Sequence, residues 1–213
     1  MRIWDINPGY LNRQSLLGEH RELHGIVSII VNGRKGYSKH PETLRWTNHG
    51  WALKMRHQLL ASEMSLRNYT DRTPVITCTN KGIWPEKYID EPRQQFRILE
   101  YKYKNKEQGR IPLPKNAQQL WSQHKYSVLA RDVNLYKEIG KQVSAGSSNH
   151  DFSALSKTLT ELLRIPPALG GIKNALQHMW GHVSNFSNSE HNAETWSLIK
   201  LYNEIRLGVL ESK

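Results

Sequence analysis

The sequence predicts a mainly α-helical protein of two domains, and three observations lead to that prediction. Apolar residues recur at helical spacing through much of the 213-residue chain. The segment 109–116, GRIPLPKN, contains two prolines and a glycine and is predicted to be a linker. Charge also changes there, from 19 basic and 11 acidic side chains in 1–110 to 11 and 8 in 111–213. We therefore expect one helical domain over 1–108 and a helical bundle over 109–213.

Composition restricts the partner and the compartment. A net charge of +11 and a pI near 9.8 predict a polyanionic partner, although charge alone does not distinguish DNA from RNA or a membrane surface. The single cysteine, Cys78, excludes an intrachain disulfide, fits a reducing compartment, and is interpreted as an inert core residue rather than a nucleophile. No long apolar run or hydrophobic signal segment occurs, so we expect a soluble cytoplasmic protein without a membrane partner.

The first elements follow from capping and helical periodicity. Residues 1–11 are predicted to be extended, with a turn at Pro8–Gly9. Asn12 is a good N-cap for a helix that runs to about Asn32, and Gly33 supplies its C-terminal stop. This helix is apolar at its far end and is therefore expected to be central, which would give Glu22 a rigid position.

A basic loop follows this helix at 33–41, GRKGYSKHP. Backbone amides exposed by glycine, together with Arg34, Lys35 and Lys39, would suit phosphate contacts, whereas the alternative is a solvated turn. Pro41 is expected to open a short helix that reaches Trp46.

Two more helices, separated by an irregular segment, are predicted in the rest of the first half. Asn48 is predicted to cap a helix over 49–69, and residues 70–92 are expected to be irregular. One face of that helix would carry Trp51, Met55, Leu59, Ser62 and Leu66, with Lys54, Arg56 and Arg67 outside. Residues 93–110 suit either nucleic-acid binding, with Phe96, Tyr101 and Tyr103 stacking on bases, or an amphipathic helix with a solvated basic face.

The second half predicts five helices, at 116–129, 132–144, 151–164, 170–184 and 190–209, with a loop at 145–149. His178 and His182 lie four residues apart, a spacing that could bind metal with His124, His150 or His191 as a third ligand. No Glu follows His178, so the zincin pattern is absent. We favour structural histidines and predict no metal and no cofactor.

The N-terminal residues MRIWDINPGYLNRQSLLGEHRE combine groups with chemical potential. A free α-amine has a reference pKa of about 7.7–8.0, so part of it is neutral at neutral pH and could attack carbons that become iminium ions. Arg2, Arg21 and Glu22 could lie close to the amine of Met1. The alternative is a frayed terminus and a solvated glutamate.

Residues 1 to about 70 resemble the pyrimidine-dimer DNA glycosylase family, of which phage endonuclease V is the best-known kind. The matching pieces are MRIW, NPGYLNRQSLLGEHREL, KGYSKHP and the stretch from Leu44 to Trp46. Residues 116–208 resemble the YbgA-type domain of unknown function through LWSQHKYSVLARD, LYKEIGK and IKNALQHMWGHVS.

The glycosylase resemblance implies a helical catalytic domain, double-stranded DNA as partner, and a Schiff-base mechanism. It implies that Met1 is the nucleophile, Glu22 the catalytic acid, and Arg2 and Arg21 phosphate contacts. Initiator methionine is normally kept before a bulky residue, which is consistent with this register. The whole predicted DNA-binding set is Arg2, Arg21, Arg34, Lys35, Tyr37, Lys39 and His40.

The sequence also departs from the phage enzyme. Ser15 stands where that enzyme has histidine, and Gly25 where it has arginine. Damage recognition and phosphate clamping are therefore expected to involve other residues, for which His20, His24, Lys35 and Lys39 are candidates. The substrate could be a pyrimidine dimer or a modified pyrimidine, and the oligomeric state is not indicated.

Two other functions remain open from the sequence. The glycosylase scaffold could serve a non-catalytic nucleic-acid-binding protein. The second half could instead direct the protein to RNA or to nucleotide metabolism.

Overall fold

The computed structural model describes residues 1–145, 152–186 and 193–211, and these residues form helices and loops without a strand. This confirms the predicted mainly α fold. The chain divides into two compact units, Met1–Leu113 and Pro114–Lys213. No helix in the described part of the chain is long and apolar enough to cross a membrane.

Unit 1 is built on a 20-residue helix, α1, Arg13–Asn32. Its N-cap is Asn12, whose side chain accepts a 2.9 Å hydrogen bond from the Ser15 amide. It ends at Gly33, which adopts a left-handed conformation with φ 60° and returns its amide to the Ile29 carbonyl. Both predicted helix ends are confirmed.

Three shorter helices complete unit 1, namely α2, Pro41–Trp46, α3, Gly50–Leu66, and α4, Pro92–Lys102. Helices α1 and α3 pack together, with Leu16 and Leu23 of α1 and Leu53 and Leu60 of α3 fully buried. The segment before α1 is also part of the core, because Ile3, Trp4 and Ile6 are buried. The N-terminal residues are therefore fixed by packing.

The predicted buried face of α3 is wrong. Leu59 and Leu66 are exposed, whereas the buried face carries Ala52, Leu53, Arg56, His57, Leu60, Glu63 and Met64. The polar residues can be buried because Arg56 and Glu63 form ion pairs there. Asn48 is also not the N-cap: it lies at φ 67°, and His49 occupies that position without a side-chain cap bond.

Helix α4 supplies aromatic residues to the core rather than to a ligand. Phe96 packs edge-on against Tyr10 with ring centroids 4.9 Å apart, and the buried Tyr103 hydroxyl accepts a 3.0 Å hydrogen bond from the Asn12 amide. Of the two alternatives for this segment, the structure shows the amphipathic helix, and the buried Phe96 and Tyr103 cannot stack on bases, whereas Tyr101 is 85% exposed.

Cys78 was expected in the core, and this expectation is also wrong. The thiol is free and exposed. It lies in the irregular segment between α3 and α4, next to Thr77 and Thr79, which bond to Gly50 at the start of α3. The neighbours of Cys78 hold this segment, so the cysteine itself need not pack inside.

Unit 2 contains α5, Ala117–Leu129, α6, Val133–Ser144, α7, Phe152–Leu163, α8, Leu169–Val183, and α9, Leu198–Glu211. A core cluster joins α8 to α9 through Trp180, Ala193, Trp196, Leu201 and Ile205. The last predicted helix begins too early, because residues 193–197 are not helical. The predicted loop at 145–149 lies outside the described residues beyond Ala145.

Candidate active site

The N-terminal segment lies along α1 and is held by two carboxylates of that helix. The Arg2 amide donates a hydrogen bond to Oε2 of Glu22, and the Trp4 amide donates to Oε1 of Glu19 at 3.1 Å. Glu19 and Glu22 are almost one helical turn apart. The chain start is therefore fastened beside Glu22.

Glu19 has a structural role. Its carboxylate receives two bonds from the Arg56 guanidinium, Nε to Oε1 at 2.7 Å and Nη2 to Oε2 at 2.9 Å. Arg56 also donates to the Ile6 carbonyl at 2.8 Å and is only 2% exposed. This buried pair joins α1, α3 and the N-terminal segment, and its hydrogen-bonding capacity is largely used.

Glu22 is in a different situation. It is partly exposed, and within the described residues its carboxylate has the Arg2 amide as partner and no ion pair. On its side of α1, Gly18 and Gly25 lie four residues before and three after it, and each has open space where a Cβ would stand. A charged carboxylate with room around it can contact a ligand.

The two arginines near this carboxylate differ. The Arg2 guanidinium forms an ion pair with Asp90 and lies over the Trp4 ring, 4.3 Å from its centroid. Arg21 is exposed on α1. Arg2 is thus oriented by protein contacts, and Arg21 is directed to solvent.

Pro41 of the predicted basic segment 33–41 begins α2, and residues 33–40, called the basic loop from here on, follow α1 and pack near α1 and α2. Arg34, Lys35 and Lys39 are exposed, and Tyr37 is 65% exposed. The loop therefore presents three cations and an aromatic ring to solvent.

His40 ends this loop and caps α2. Its Nδ1 accepts a 3.1 Å hydrogen bond from the Glu42 amide. This bond fixes which ring nitrogen is the acceptor and leaves Nε2 as the nitrogen available to a ligand.

Internal pairing leaves unit 1 with an excess of exposed cations. Five of its acidic side chains pair with arginines of the same unit: Asp5 and Glu42 with Arg45, Glu19 with Arg56, Glu63 with Arg67 and Arg110, and Asp90 with Arg2. The cations of the basic loop are not used in this way and remain available to a polyanion.

A second polar group lies on another side of α1. His20 and His24 of α1, His57 of α3 and Asp71 in the loop after α3 place their ligand atoms within 4.8 Å of one another. Burial lowers the pKa of His24 and of His57, so both imidazoles are neutral at neutral pH. Burial would raise the pKa of Asp71, but hydrogen bonds from the amide and hydroxyl of Thr73 outweigh it and lower that pKa.

The histidine pair that the sequence suggested as a possible metal site, His178 and His182, is not part of this group. His178 and His182 lie on α8 near Tyr136 and Tyr126, and the described residues around them include no metal-binding group of three. His124 is buried in α5, where burial lowers its pKa to about 4. His150 and His191 lie outside the described residues.

Sequence reasoning missed His57, Asp71 and Thr73. His20 and His24 have the same four-residue spacing as His178 and His182 of α8, so the sequence already indicates half of this group. Their partners come from an element whose buried face was predicted incorrectly and from an irregular loop.

Comparison with known families supports the division of the chain. Residues 1–77 match the family model described as pyrimidine dimer DNA glycosylase, and residues 125–211 match one described as protein of unknown function, DUF1722. Both resemblances stated from the sequence are confirmed. The search of curated proteins and the search of solved structures gave no match.

The first family name associates residues 1–77 with DNA glycosylase activity and with DNA as a partner at the level of the family. Of the residues discussed around Glu22, Asp90 alone lies beyond this match. The second family supplies no activity.

Proposed function

We propose that this protein is a DNA glycosylase with AP-lyase activity that removes a damaged or modified pyrimidine through a Schiff base at the Met1 α-amine. Glu22 is its catalytic acid. The observation that carries the proposal is the hydrogen bond from the Arg2 amide to Glu22, in a segment that matches the glycosylase family.

The geometry favours this chemistry because it limits the motion of the nucleophile. The α-amine is one residue from an amide that is bonded to Glu22, and the following residues Ile3 and Trp4 are buried. A reactive amine held near a carboxylate needs little reorganisation before attack. Glu22 also has no cation partner within the described residues that would neutralise it.

The proposed reaction forms and breaks bonds in sequence. The neutral amine attacks C1′, the glycosidic C–N bond breaks, and the base leaves with a proton. The nitrogen keeps its second proton and expels O4′ as the sugar ring opens, and O4′ takes up a proton from water, so that a protonated iminium ion forms. Glu22 then accepts the C2′ proton as the 3′ phosphate leaves. Before that step its carboxylate stabilises the positive charge that develops on the sugar.

Exposed cations would bind the DNA backbone. Arg21, Arg34, Lys35 and Lys39 are assigned to phosphates, and Tyr37 and His40 to the same surface. Arg2 would have to exchange Asp90 for a phosphate, so its contact forms only as DNA binds.

Borohydride trapping tests the reaction. Protein with its own N-terminus is incubated with duplexes that carry an abasic site, a pyrimidine dimer or a modified pyrimidine, and is reduced with borohydride. We expect a covalent adduct whose peptide maps to Met1, because reduction converts the iminium ion to a stable amine.

A variant with residues added before Met1 is the control. We expect it to bind DNA without forming the adduct. An adduct on a lysine would contradict the assignment of Met1. Salt-sensitive DNA binding without any adduct would instead support a non-catalytic DNA-binding protein on this scaffold.

A further inference from the structure

The group formed by His20, His24, His57 and Asp71 has the dimensions of a metal centre. His20 Nε2 lies 3.2 Å from Asp71 Oδ1 and 3.4 Å from His24 Nε2, and His57 Nε2 lies 3.3 Å from Asp71 Oδ2. Ligands bound at about 2.0–2.1 Å in a tetrahedron are separated by about 3.3–3.4 Å. With one Asp71 oxygen as ligand, two of these three distances are ligand-to-ligand distances and match, and the ligand atoms of all four residues lie within 4.8 Å of one another.

Hydrogen bonding alone does not satisfy this group. The His57 Nε2 atom is buried and has no hydrogen-bond partner, despite its closeness to Asp71. A contact between His20 Nε2 and His24 Nε2 requires that one nitrogen donates and the other accepts. In either case His20 Nε2 has no separate N–H left to donate to Asp71. A cation at the centre would satisfy all three imidazoles at once, since each would offer a lone pair.

The surroundings also resemble the support of a metal ligand. Thr73 donates its amide and its hydroxyl to Asp71 Oδ1, both at 3.0 Å, and its hydroxyl lies 3.1 Å from His24 Nε2. Hydrogen bonds of this kind orient a ligating carboxylate. The spacing of His20 and His24, one turn apart, directs both rings to the same side of α1.

The donor set indicates the ion. Three imidazole nitrogens and one carboxylate oxygen suit Zn²⁺, whereas Mg²⁺ and Ca²⁺ prefer oxygen ligands throughout. Four protein ligands make a closed site, which is typical of structural zinc rather than catalytic zinc.

We propose that His20, His24, His57 and Asp71 bind one structural Zn²⁺ that fastens the loop after α3 to α1 and α3. His20 and His24 flank Glu22 in sequence, but two residues correspond to about 200° around a helix, so the ion lies on the opposite side of α1 from Glu22. The site would stiffen the helix that carries Glu22 without contacting DNA. This proposal is independent of the proposed reaction.

Metal analysis of the full chain, produced without a histidine tag, tests the site. We expect about one Zn²⁺ per chain after dialysis, and loss of the ion in both His24→Gln and His57→Gln. The matched control is His178→Gln/His182→Gln, which removes a pair of the same spacing from α8 and should keep the ion. Loss of the ion in the control alone would overturn the proposal.

Two further measurements keep the test decisive if the histidine variants do not fold. Co²⁺ added to the wild-type chain should give the visible absorption of a tetrahedral nitrogen and oxygen site, and Zn²⁺ should displace it. Thr73→Val should weaken Zn²⁺ binding by about 10- to 100-fold, whereas Thr70→Val, at an exposed position of the same loop, should not. A wild-type chain that takes up neither ion at micromolar concentration would overturn the proposal.

Discussion

At the scale of single residues, two glutamates of α1 show how the environment separates structural from chemical roles. Glu19 is buried and receives two bonds from Arg56, so its charge is compensated. Glu22 lies three residues further on, accepts a main-chain amide, and has open space at Gly18 and Gly25. A glutamate therefore has a structural role at position 19 and is a candidate catalytic acid at position 22.

Replacing Glu22 with glutamine should separate catalysis from binding. Glutamine keeps the shape and can still accept the Arg2 amide, but it cannot accept the C2′ proton. We expect incision in single-turnover assays to fall by at least about 100-fold, with DNA binding by fluorescence anisotropy retained. Glu100→Gln, at an exposed position of α4, is the control. Wild-type incision by Glu22→Gln would show that the acid lies elsewhere.

His124 should make unit 2 sensitive to acid. Burial, with a smaller contribution from Arg131, lowers its pKa from 6.5 to about 4. Below pH 6.5 the unfolded chain takes up the proton first, so stability is lost as the pH falls from about 6.5 to about 4. The loss amounts to about 3 kcal/mol at most.

Hydrogen exchange of the Leu120 and Val128 amides between pH 7 and pH 4.5 would measure this loss, after correction for the intrinsic exchange rate. His124→Leu should show a smaller pH dependence over the same range. An NMR titration in which His124 protonates near pH 6.5 in the folded chain would contradict the argument.

At the scale of helices, the ends of α1 were predictable from the sequence, whereas the N-cap and the buried face of α3 were not. The ends of α1 follow from Asn12 and Gly33, whose local bonds are made within a few residues. The buried face of α3 depends on distant partners, because Arg56 is buried only where Glu19 and the Ile6 carbonyl meet it. The spacing of apolar residues along α3 cannot predict such partners, because they are distant in sequence.

The buried ion pair between α1 and α3 should be costly to break from one side. Burial raises the pKa of Glu19 to about 7, although Arg56 lowers it. In Arg56→Met the carboxyl group must therefore be buried either without its counter-charge or with a newly bound proton, and we expect unit 1 to lose about 3–5 kcal/mol. Glu19→Gln/Arg56→Met should lose less, because no unpaired charge remains. Hydrogen exchange of the buried Leu23 and Leu60 amides reports on these two helices directly.

The matched control for this change is Arg72→Met, which removes an exposed arginine from the same unit. It should alter the exchange of these amides little. Equal losses for Arg56→Met and the double variant would mean that packing of the arginine stem, and not the pairing of Glu19, dominates.

At the scale of the whole molecule, the change in charge and the Pro-rich segment predict two halves, and the chain has two compact units, Met1–Leu113 and Pro114–Lys213. The sequence does not indicate which of the two units the segment 109–116 packs against. Glu63 is buried in α3 and binds Arg110 at 2.7 Å, and the Ile111 amide donates to the Gly9 carbonyl at 2.9 Å. These partners are far away in sequence, so a segment that looks like a linker is packed into unit 1.

Two truncations test where the first domain ends. A chain of residues 1–108 follows the boundary expected from the sequence, and a chain of residues 1–113 follows the compact unit. The shorter chain loses the Arg110 bonds to Glu63 and the Ile111 bond to Gly9. The shorter chain also lacks Gly109, which lies so close to the Tyr10 backbone that a side chain would not fit there. We expect 1–113 to be more stable in urea unfolding by at least about 2 kcal/mol.

The same two chains connect stability with the proposed reaction. Borohydride trapping by 1–113 at the level of the full chain would mean that unit 2 is accessory to the chemistry. Arg110→Ala in the longer chain removes the ion pair between Arg110 and Glu63 and leaves Glu63 with Arg67 as its remaining cation. We expect this single change to account for much of the difference in stability between the two truncations. Equal stability of the two truncations would place the boundary at 108 and make the last five residues a true linker.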